Sequence, residues 1–217
     1  PETILGPIRA GATYQMFLLE QNGSDTSFSG IMTRASAGTN AMKTLSGNIE
    51  INHAATGANA GDVLAGGSII MRLKKINCLL KLSVDWKNKS AYFYDRFYYN
   101  PKIQWVNNFQ NVETGSGKVS LANEKLHFNS EAGIYSITNY IYYSNAGSRA
   151  VQSPGTVNLL YAVVHKDLHW KKWHLLGKII FQDVYGKNVI HVPQWIIRQT
   201  GFFERKYFKN ALLAQIG

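Results

Sequence analysis

The sequence predicts an all-β protein, an antiparallel sandwich with jelly-roll topology and long loops, built as a single domain over residues 1–217. Segments in which apolar and polar residues alternate recur along the chain, and stretches rich in Gly, Pro and Asn separate them. Strands do not alternate with amphipathic helices, so the pattern argues against a parallel α/β fold.

The clearest strand pattern covers residues 69–86. Leu80, Leu82 and Val84 alternate with Lys81 and Ser83, which is typical of a strand with one buried face. The alternation slips by one residue at positions 74–75. A β-bulge produces such a slip, so the segment is interpreted as one long bulged strand.

Two segments depart from the strand pattern. Residues 31–68 are rich in Gly, Ala and Asn and predict a flexible arm or a long loop. Residues 194–217 form a C-terminal extension in which apolar residues recur at spacings of three and four, predicting a short helix. The residues in this helical pattern are Phe203, Tyr207, Phe208, Ala211, Leu212 and Gln215.

Charge and cysteine content narrow the class of protein. The formal net charge is +10, which favours polyanionic partners. Cys78 is the single cysteine, so an internal disulfide is impossible, and an intracellular or virion protein is expected. No apolar run is long enough for a membrane-spanning helix, so no membrane span is expected.

Candidate catalytic and metal-binding residues are few, and the sequence predicts neither an enzyme nor a cofactor. His165, Asp167 and His169 would share one face of a strand, which makes them weak candidates for a metal site and for an enzyme built around it. The nearby lysines oppose a bound cation and favour an interface or a polyanion-binding loop instead.

Basic and aromatic residues alternate in two segments near the C-terminus, a composition suited to backbone contacts with single-stranded nucleic acid. The sequence therefore predicts non-specific nucleic-acid binding through a basic surface. The candidate residues are Trp170, Lys171, Lys172, Trp173, Arg205, Lys206 and Lys209.

Two stretches of the chain resemble the jelly-roll capsid proteins of small circular single-stranded DNA viruses. Residues 61–76 are similar to their glycine turn and basic strand, and residues 142–183 to a Tyr/Ser/Asn-rich loop between late strands. The resemblance implies a shell-forming subunit with a nucleic acid inside. The Arg-rich N-terminal arm of that family is not seen here.

The sequence-based hypothesis is a capsid subunit that self-assembles in many copies and contacts a single-stranded genome. It would reside in the virion, and inside the host cell during assembly. Two alternatives stay open at this point. One is a phage tail-tube protein or other virion component, and the other is a carbohydrate-binding or membrane-active β-protein, suggested by the abundant Trp, Tyr and Asn.

Overall fold

The computed structural model describes residues 6–21, 24–42, 44–144, 149–187 and 189–217. Strands dominate it, with one short α-helix, α1 (Phe93–Arg96). The strands are β1 (Ile8–Gln21), β2 (Ser24–Met42), β3 (Leu45–Ala54), β4 (Val63–Leu73), β5 (Cys78–Lys89), β6 (Phe97–Asn100), β7 (Ile103–Val106), β8 (Val112–Asn123), β9 (Phe128–Thr138), β10 (Ile141–Tyr143), β11 (Ala150–Gln152), β12 (Thr156–Trp170), β13 (Trp173–Gly186), β14 (Trp195–Tyr207) and β15 (Leu212–Ile216).

Eleven strands form one antiparallel sheet in the order β1-β2-β3-β4-β5-β8-β9-β12-β13-β14-β15. The hairpins β6–β7 and β10–β11 are separate two-stranded sheets, inserted between strands of the large sheet. The all-β, antiparallel prediction is confirmed. The jelly roll is not, because each strand of the large sheet pairs with the large-sheet strand before it in the chain.

The cross-strand register explains why these segments form a sheet. Directly paired residues of an antiparallel sheet point to the same face. Ile69 pairs with Leu82, Leu82 pairs with Val119, and Val119 pairs with Ala132. Apolar positions of successive strands therefore align into continuous rows on one side of the sheet.

The segment 69–86 differs from its prediction as one bulged strand. It contains the end of β4 and most of β5, joined by a tight turn with a 3-10 helix at Lys74–Ile76. Asn77 closes the turn in the left-handed region, at a φ of 52°, which asparagine tolerates better than most residues. The slip in the alternation at positions 74–75 marks a hairpin turn, not a bulge.

The predicted arm at residues 31–68 is also corrected by the structure. It contains most of β2, all of β3 and the start of β4, and only residues 55–62 form a loop. Its small residues flank the larger side chains of β3, since Ile49 pairs with Ala37 on one side and with Gly67 on the other.

The predicted C-terminal helix is wrong as well, because residues 194–217 contain β14 and β15 with a 3-10 turn at Phe208–Asn210. The helical spacing ran across that turn and mixed residues of two strands. Ile196, Ile197 and Thr200 are β-branched and favour a strand over a helix.

The two ends of the large sheet differ in their connections. At one end, called the turn end, the connections are residues 43–44, 74–77, 124–127, 171–172 and 208–211, each of at most four residues. At the other, called the loop end, they are residues 22–23, 55–62, 90–111, 139–155 and 187–194. The loop end thus carries α1 and both small hairpins.

Few apolar side chains are buried. Within the described residues the buried hydrophobic side chains are Ala54, Ala91, Ala150 and Val157. Large apolar side chains of the sheet are instead exposed, which a water-soluble domain of this size would normally avoid. No helix among the described residues is both long and apolar enough to cross a membrane.

Candidate functional site

One side of the large sheet, here called the apolar face, carries exposed aliphatic residues on every long strand. Val84 near its centre is 66% exposed, and Ile8 and Ile197 toward its two edges are each 72% exposed. Side chains exposed to this extent have no extensive packing partner among the described residues. Members of the apolar face are Ile8, Tyr14, Met16, Ile49, Ile51, Ile69, Leu82, Val84, Val119, Ile134, Leu160, Val164, Ile179 and Ile197.

Aromatic residues mark the two ends of the apolar face. At the turn end, Trp170 pairs with Trp173 across a two-residue turn, and the Trp173 ring meets Phe203 with centroids 5.2 Å apart. At the loop end lie Trp86, Tyr185 and Trp195, all exposed. An aliphatic band between two aromatic rows is the arrangement that membrane interfaces select, since these rings favour the headgroup region.

The opposite side, here called the polar face, carries charged and polar residues at the alternate positions. A side-chain network runs across β5, β8, β9 and β12. Lys118 Nζ lies 3.4 Å from Asp85 Oδ2 and 5.6 Å from the Tyr135 ring centroid. Tyr135 stacks on Tyr161 with centroids 5.6 Å apart, which links Lys118 to β12.

Only two acidic residues of the polar face, Glu50 and Asp85, form ion pairs with an arginine or a lysine in the described part of the chain. Glu50 accepts from Arg34 Nη2 and from Asn52, and Glu131 accepts from the Tyr161 hydroxyl at 2.6 Å. Glu204 accepts from Gln215 Nε2 at 2.8 Å. The remaining acids, Asp85 and Asp167, lie against Lys118 and His165.

Several basic residues of the polar face have no such partner. Within the described residues, no acidic side chain forms an ion pair with Arg9, Arg72, Lys81, Lys87, Lys178 or Arg198. Together with Arg34 and Lys118, these cations of the polar face outnumber its five acids, Glu50, Asp85, Glu131, Asp167 and Glu204. The polar face therefore has a surplus of positive charge.

At the loop end the connections pack on one another around the buried residue Asp95 of α1. The Tyr143 hydroxyl donates to Asp95 Oδ1 at 2.8 Å, and Asn107 Nδ2 donates to the Asp95 carbonyl at 2.9 Å. Tyr98 stacks on Trp105 with centroids 4.4 Å apart, and Gln152 binds the backbone of Gln110 in both directions. These contacts hold the long loops in one arrangement.

The Tyr143–Asp95 contact lies outside the large sheet and changes the pKa of the tyrosine hydroxyl. The hydrogen bond to Asp95 raises the pKa of the Tyr143 hydroxyl above its ordinary value of 10.0, and partial burial and the Asp95 charge act in the same direction. The neutral phenol is the form that donates, so the contact requires Tyr143 to stay protonated.

The structure brings the predicted nucleic-acid residues together at the turn end. Lys171 and Lys172 form the turn between β12 and β13. Arg205 and Lys206 lie near the end of β14, and Lys209 lies in the turn that follows this strand. The two turns are neighbours, since Glu204 N donates to the Lys172 carbonyl at 2.8 Å. Trp170 and Trp173 lie on the apolar face beside them.

The weak metal candidates share a strand face, but they do not form a metal site. His165 Nε2 lies 3.2 Å from Asp167 Oδ1, without hydrogen-bond geometry. His169 instead packs between the rings of His127 and His174, with centroids 4.7 and 4.6 Å away. In the described part of the chain, no three His, Cys, Asp or Glu side chains are grouped to hold a metal ion.

Sequence reasoning missed the exposed apolar face opposite the polar face of the same sheet. Alternation was visible, yet it was attributed to a buried face and a solvent-exposed face, as in a soluble sandwich. One signal could have corrected this. The alternating segments are longer than the five or six residues usual for strands of globular proteins, and their apolar side includes Trp or Tyr near strand ends, as at Trp86 and Trp170.

Comparison with known proteins supplies the family. No curated protein matches the chain. A family model described as "Putative porin" matches residues 9–217, nearly the whole length. The match overturns the capsid and tail-tube interpretations and the virion localisation. It does not test the predicted nucleic-acid contacts of the basic residues. The resemblance of residues 61–76 and 142–183 to viral capsids is not tested by it. The chain belongs to this porin family.

Proposed function

We propose that the large sheet is part of the wall of an outer-membrane pore, with the apolar face toward lipid and the polar face toward a water-filled lumen. The observation that carries the proposal is the continuous exposed apolar face, backed by charged residues on the other side of the same strands. In membrane barrels, side chains alternate in this way between lipid and lumen along each strand.

Strand length supports a membrane-spanning sheet. A strand tilted by about 45° needs about 9–11 residues to cross the hydrocarbon core. The strands β1 to β5, β8, β9 and β12 to β14 have between 10 and 19 residues. Each of these ten strands is therefore long enough to cross.

The difference between the two ends supports an orientation. Outer-membrane barrels have short turns on the periplasmic side and longer loops on the outer side. By this rule the turn end faces the periplasm and the loop end faces outward. The Tyr143–Asp95 cluster then holds the outer loops around the pore entrance, and the lysines of the turn end lie near lipid headgroups, where cations are stabilised.

The edges of the sheet support assembly into a closed structure. Among the described strands, β1 and β15 each pair on one side only. Their unpaired backbone groups would be costly in hydrocarbon, so further pairing is required there. In an antiparallel sheet of eleven strands, the two edge strands β1 and β15 run in the same direction. They cannot pair antiparallel with each other, so antiparallel closure requires at least one more strand, whatever its source.

The family match favours a transport or structural protein over an enzyme, and the proposed function is passage of small hydrophilic solutes. Whether copies of the chain associate stays a prediction. A pore wall needs no chemical step, because a hydrated lumen and a sealed lipid-facing surface are sufficient for diffusion.

Reconstitution of the purified full chain into planar lipid bilayers tests the proposal. We expect stepwise conductance increases in KCl, and swelling of proteoliposomes in isotonic solutions of small sugars. Empty liposomes with the same detergent content are the control. A chain that enters the bilayer with its strand content intact but leaves conductance and swelling at control levels would contradict the proposal.

A further inference from the structure

We infer that the lumen selects anions, and that Lys178 and Arg198 form its main anion-binding position. The inference rests on the proposed function, because it takes the polar face to be the lumen wall. It concerns small inorganic anions and solutes that carry a phosphate, sulfate or carboxylate group.

The first argument is the uneven pairing of charges on the polar face. Two of its acidic residues are in ion pairs, Glu50 with Arg34 and Asp85 with Lys118. The other three, Glu131, Asp167 and Glu204, lie against a tyrosine, a histidine and a glutamine. Basic residues such as Lys81, Lys87 and Arg72 have no acidic partner within the described residues. Ion pairs largely cancel at a distance, and the six unpaired cations of the face outnumber the three acids that have no lysine or arginine partner, so the net field attracts anions.

The second argument is the position of Lys178 and Arg198. The two residues are directly paired across β13 and β14, and Lys178 is also directly paired with His165 of β12. Directly paired residues in an antiparallel sheet have Cβ atoms about 4.5–5.5 Å apart. Two cations are therefore adjacent on the polar face, and both are exposed.

The third argument is energetic. Like charges placed directly opposite each other destabilise a sheet, and a carboxylate between them would relieve the repulsion. The acid nearest in the strand pattern, Asp167, lies against His165, 3.2 Å from its Nε2. A soluble anion in the lumen can supply the missing negative charge. Arginine and lysine side by side offer a forked donor and a point charge to one oxyanion.

The neighbourhood of the pair keeps the position open to solutes. Leu176 and Thr200 flank it on one side of the polar face, and Ile180 and Ile196 on the other. None of these side chains carries charge. The nearest acid on this face, Asp167, is paired with Leu176 and lies diagonal to Lys178, on the side away from Arg198. Apolar neighbours also reduce the local dielectric screening, which strengthens attraction of an anion to the pair.

Selectivity is tested by the reversal potential of bilayers containing the full chain, held in a KCl gradient. We expect a potential on the side of the chloride equilibrium value. The charge-reversal variant Lys178→Glu/Arg198→Glu should shift it toward the potassium value. The matched control Lys125→Glu/Lys172→Glu reverses two exposed charges in turns outside the lumen wall and should shift it less.

Failures of the two proposals are distinguishable. Conductance with equal or cation-favouring permeability in the unmodified chain overturns anion selectivity while leaving the pore intact. Equal shifts in both double variants overturn the assignment to Lys178 and Arg198. A chain that inserts but does not conduct contradicts the pore itself.

Calorimetric titration of the detergent-solubilised full chain with inorganic phosphate tests the binding position without requiring conductance. We expect binding heat in the unmodified chain and in Lys125→Glu/Lys172→Glu, and its loss in Lys178→Glu/Arg198→Glu. Circular dichroism of both variants checks that the sheet is retained. Heat that persists in the Lys178→Glu/Arg198→Glu variant, or its absence in the unmodified chain, overturns the position.

Discussion

The Tyr161 ring lies over Gly133 of the neighbouring strand, so that a methyl group at Gly133 would meet Tyr161 Cε1 at 2.8 Å. The Tyr161 hydroxyl then reaches Glu131 on the strand that contains Gly133. An aromatic ring that covers a strand glycine restores the packing that the glycine lacks and fixes the register of the pair. The contact joins β9 and β12 on the polar face.

Replacing Gly133 by alanine should destabilise the protein by about 1–3 kcal/mol, since the added methyl forces the Tyr161 ring and the Gly117 carbonyl apart. Urea unfolding from lipid vesicles, followed by tryptophan fluorescence, measures the change. Gly115→Ala is the control, because a methyl there meets nothing within 4 Å. Equal losses in the two variants would contradict the role of the Tyr161 contact.

A lysine on the apolar face should cost far more than one on the polar face. Val84→Lys places a charge near the middle of β5, and at the bilayer midplane a lysine costs about 2–4 kcal/mol. Ser83→Lys, one residue earlier, points to the polar face and should cost less than about 1 kcal/mol. The free energy of unfolding from vesicles compares them. Similar costs for the two would exclude a lipid-facing surface at Val84.

Tryptophans at the ends of the apolar face should lie at the depth of the lipid headgroups. In versions with a single tryptophan, lipids brominated high on their acyl chains should quench Trp173 and Trp195 strongly. Trp105 belongs to the loop cluster and should be quenched least. Quenching of Trp105 as strong as that of Trp173 would contradict the assignment of the two ends.

The Tyr143–Asp95 hydrogen bond should stabilise the outer loops at neutral pH and fail in alkali. The folded-state pKa of Tyr143 is raised, so the contribution is complete below the ordinary value of 10.0 and declines as pH rises through the folded-state value. Tyrosinate absorbance should show a late-titrating component in the unmodified chain.

Two variants isolate that component of the titration. Tyr143→Phe should remove it, and Asp95→Asn should move it to lower pH, because the carboxylate charge that opposes tyrosinate is gone. Tyr92→Phe, at a residue that is 75% exposed, is the control. An unchanged titration in Tyr143→Phe would show that the contact does not set the pKa.

Alternation of apolar and polar residues was sufficient to predict the strands and the antiparallel class. It could not reveal what the apolar residues face, because Leu82 and Val84 have the same spacing against a protein core and against lipid. The sequence shows the positive net charge of the chain, but it could not show that one face of the sheet carries an excess of cations. That distinction depends on which face each charged residue occupies, and the register of the paired strands determines the face, as for Lys81 and Lys118.

The predictions for residues 31–68 and 194–217 were wrong for local reasons. In residues 31–68, small residues such as Ala35 and Gly67 give little hydrophobic signal, although their paired backbone makes them strands. At the C-terminus, Phe203 and Leu212 fit a helical spacing only because a short turn lies between their strands. Neither error is visible without knowledge of the neighbouring strands, since tertiary pairing overrides local propensity.

The consecutive pairing of strands has a consequence for folding. Because each strand of the large sheet pairs with its predecessor, most pairing steps close only a short segment, and the entropy lost at each step is small. The exceptions are the steps across residues 90–111 and 139–155, where longer segments must be closed. Hairpins within those segments shorten the effective span, so the sheet can grow from one edge by successive hairpins without waiting for its two distant edges to meet.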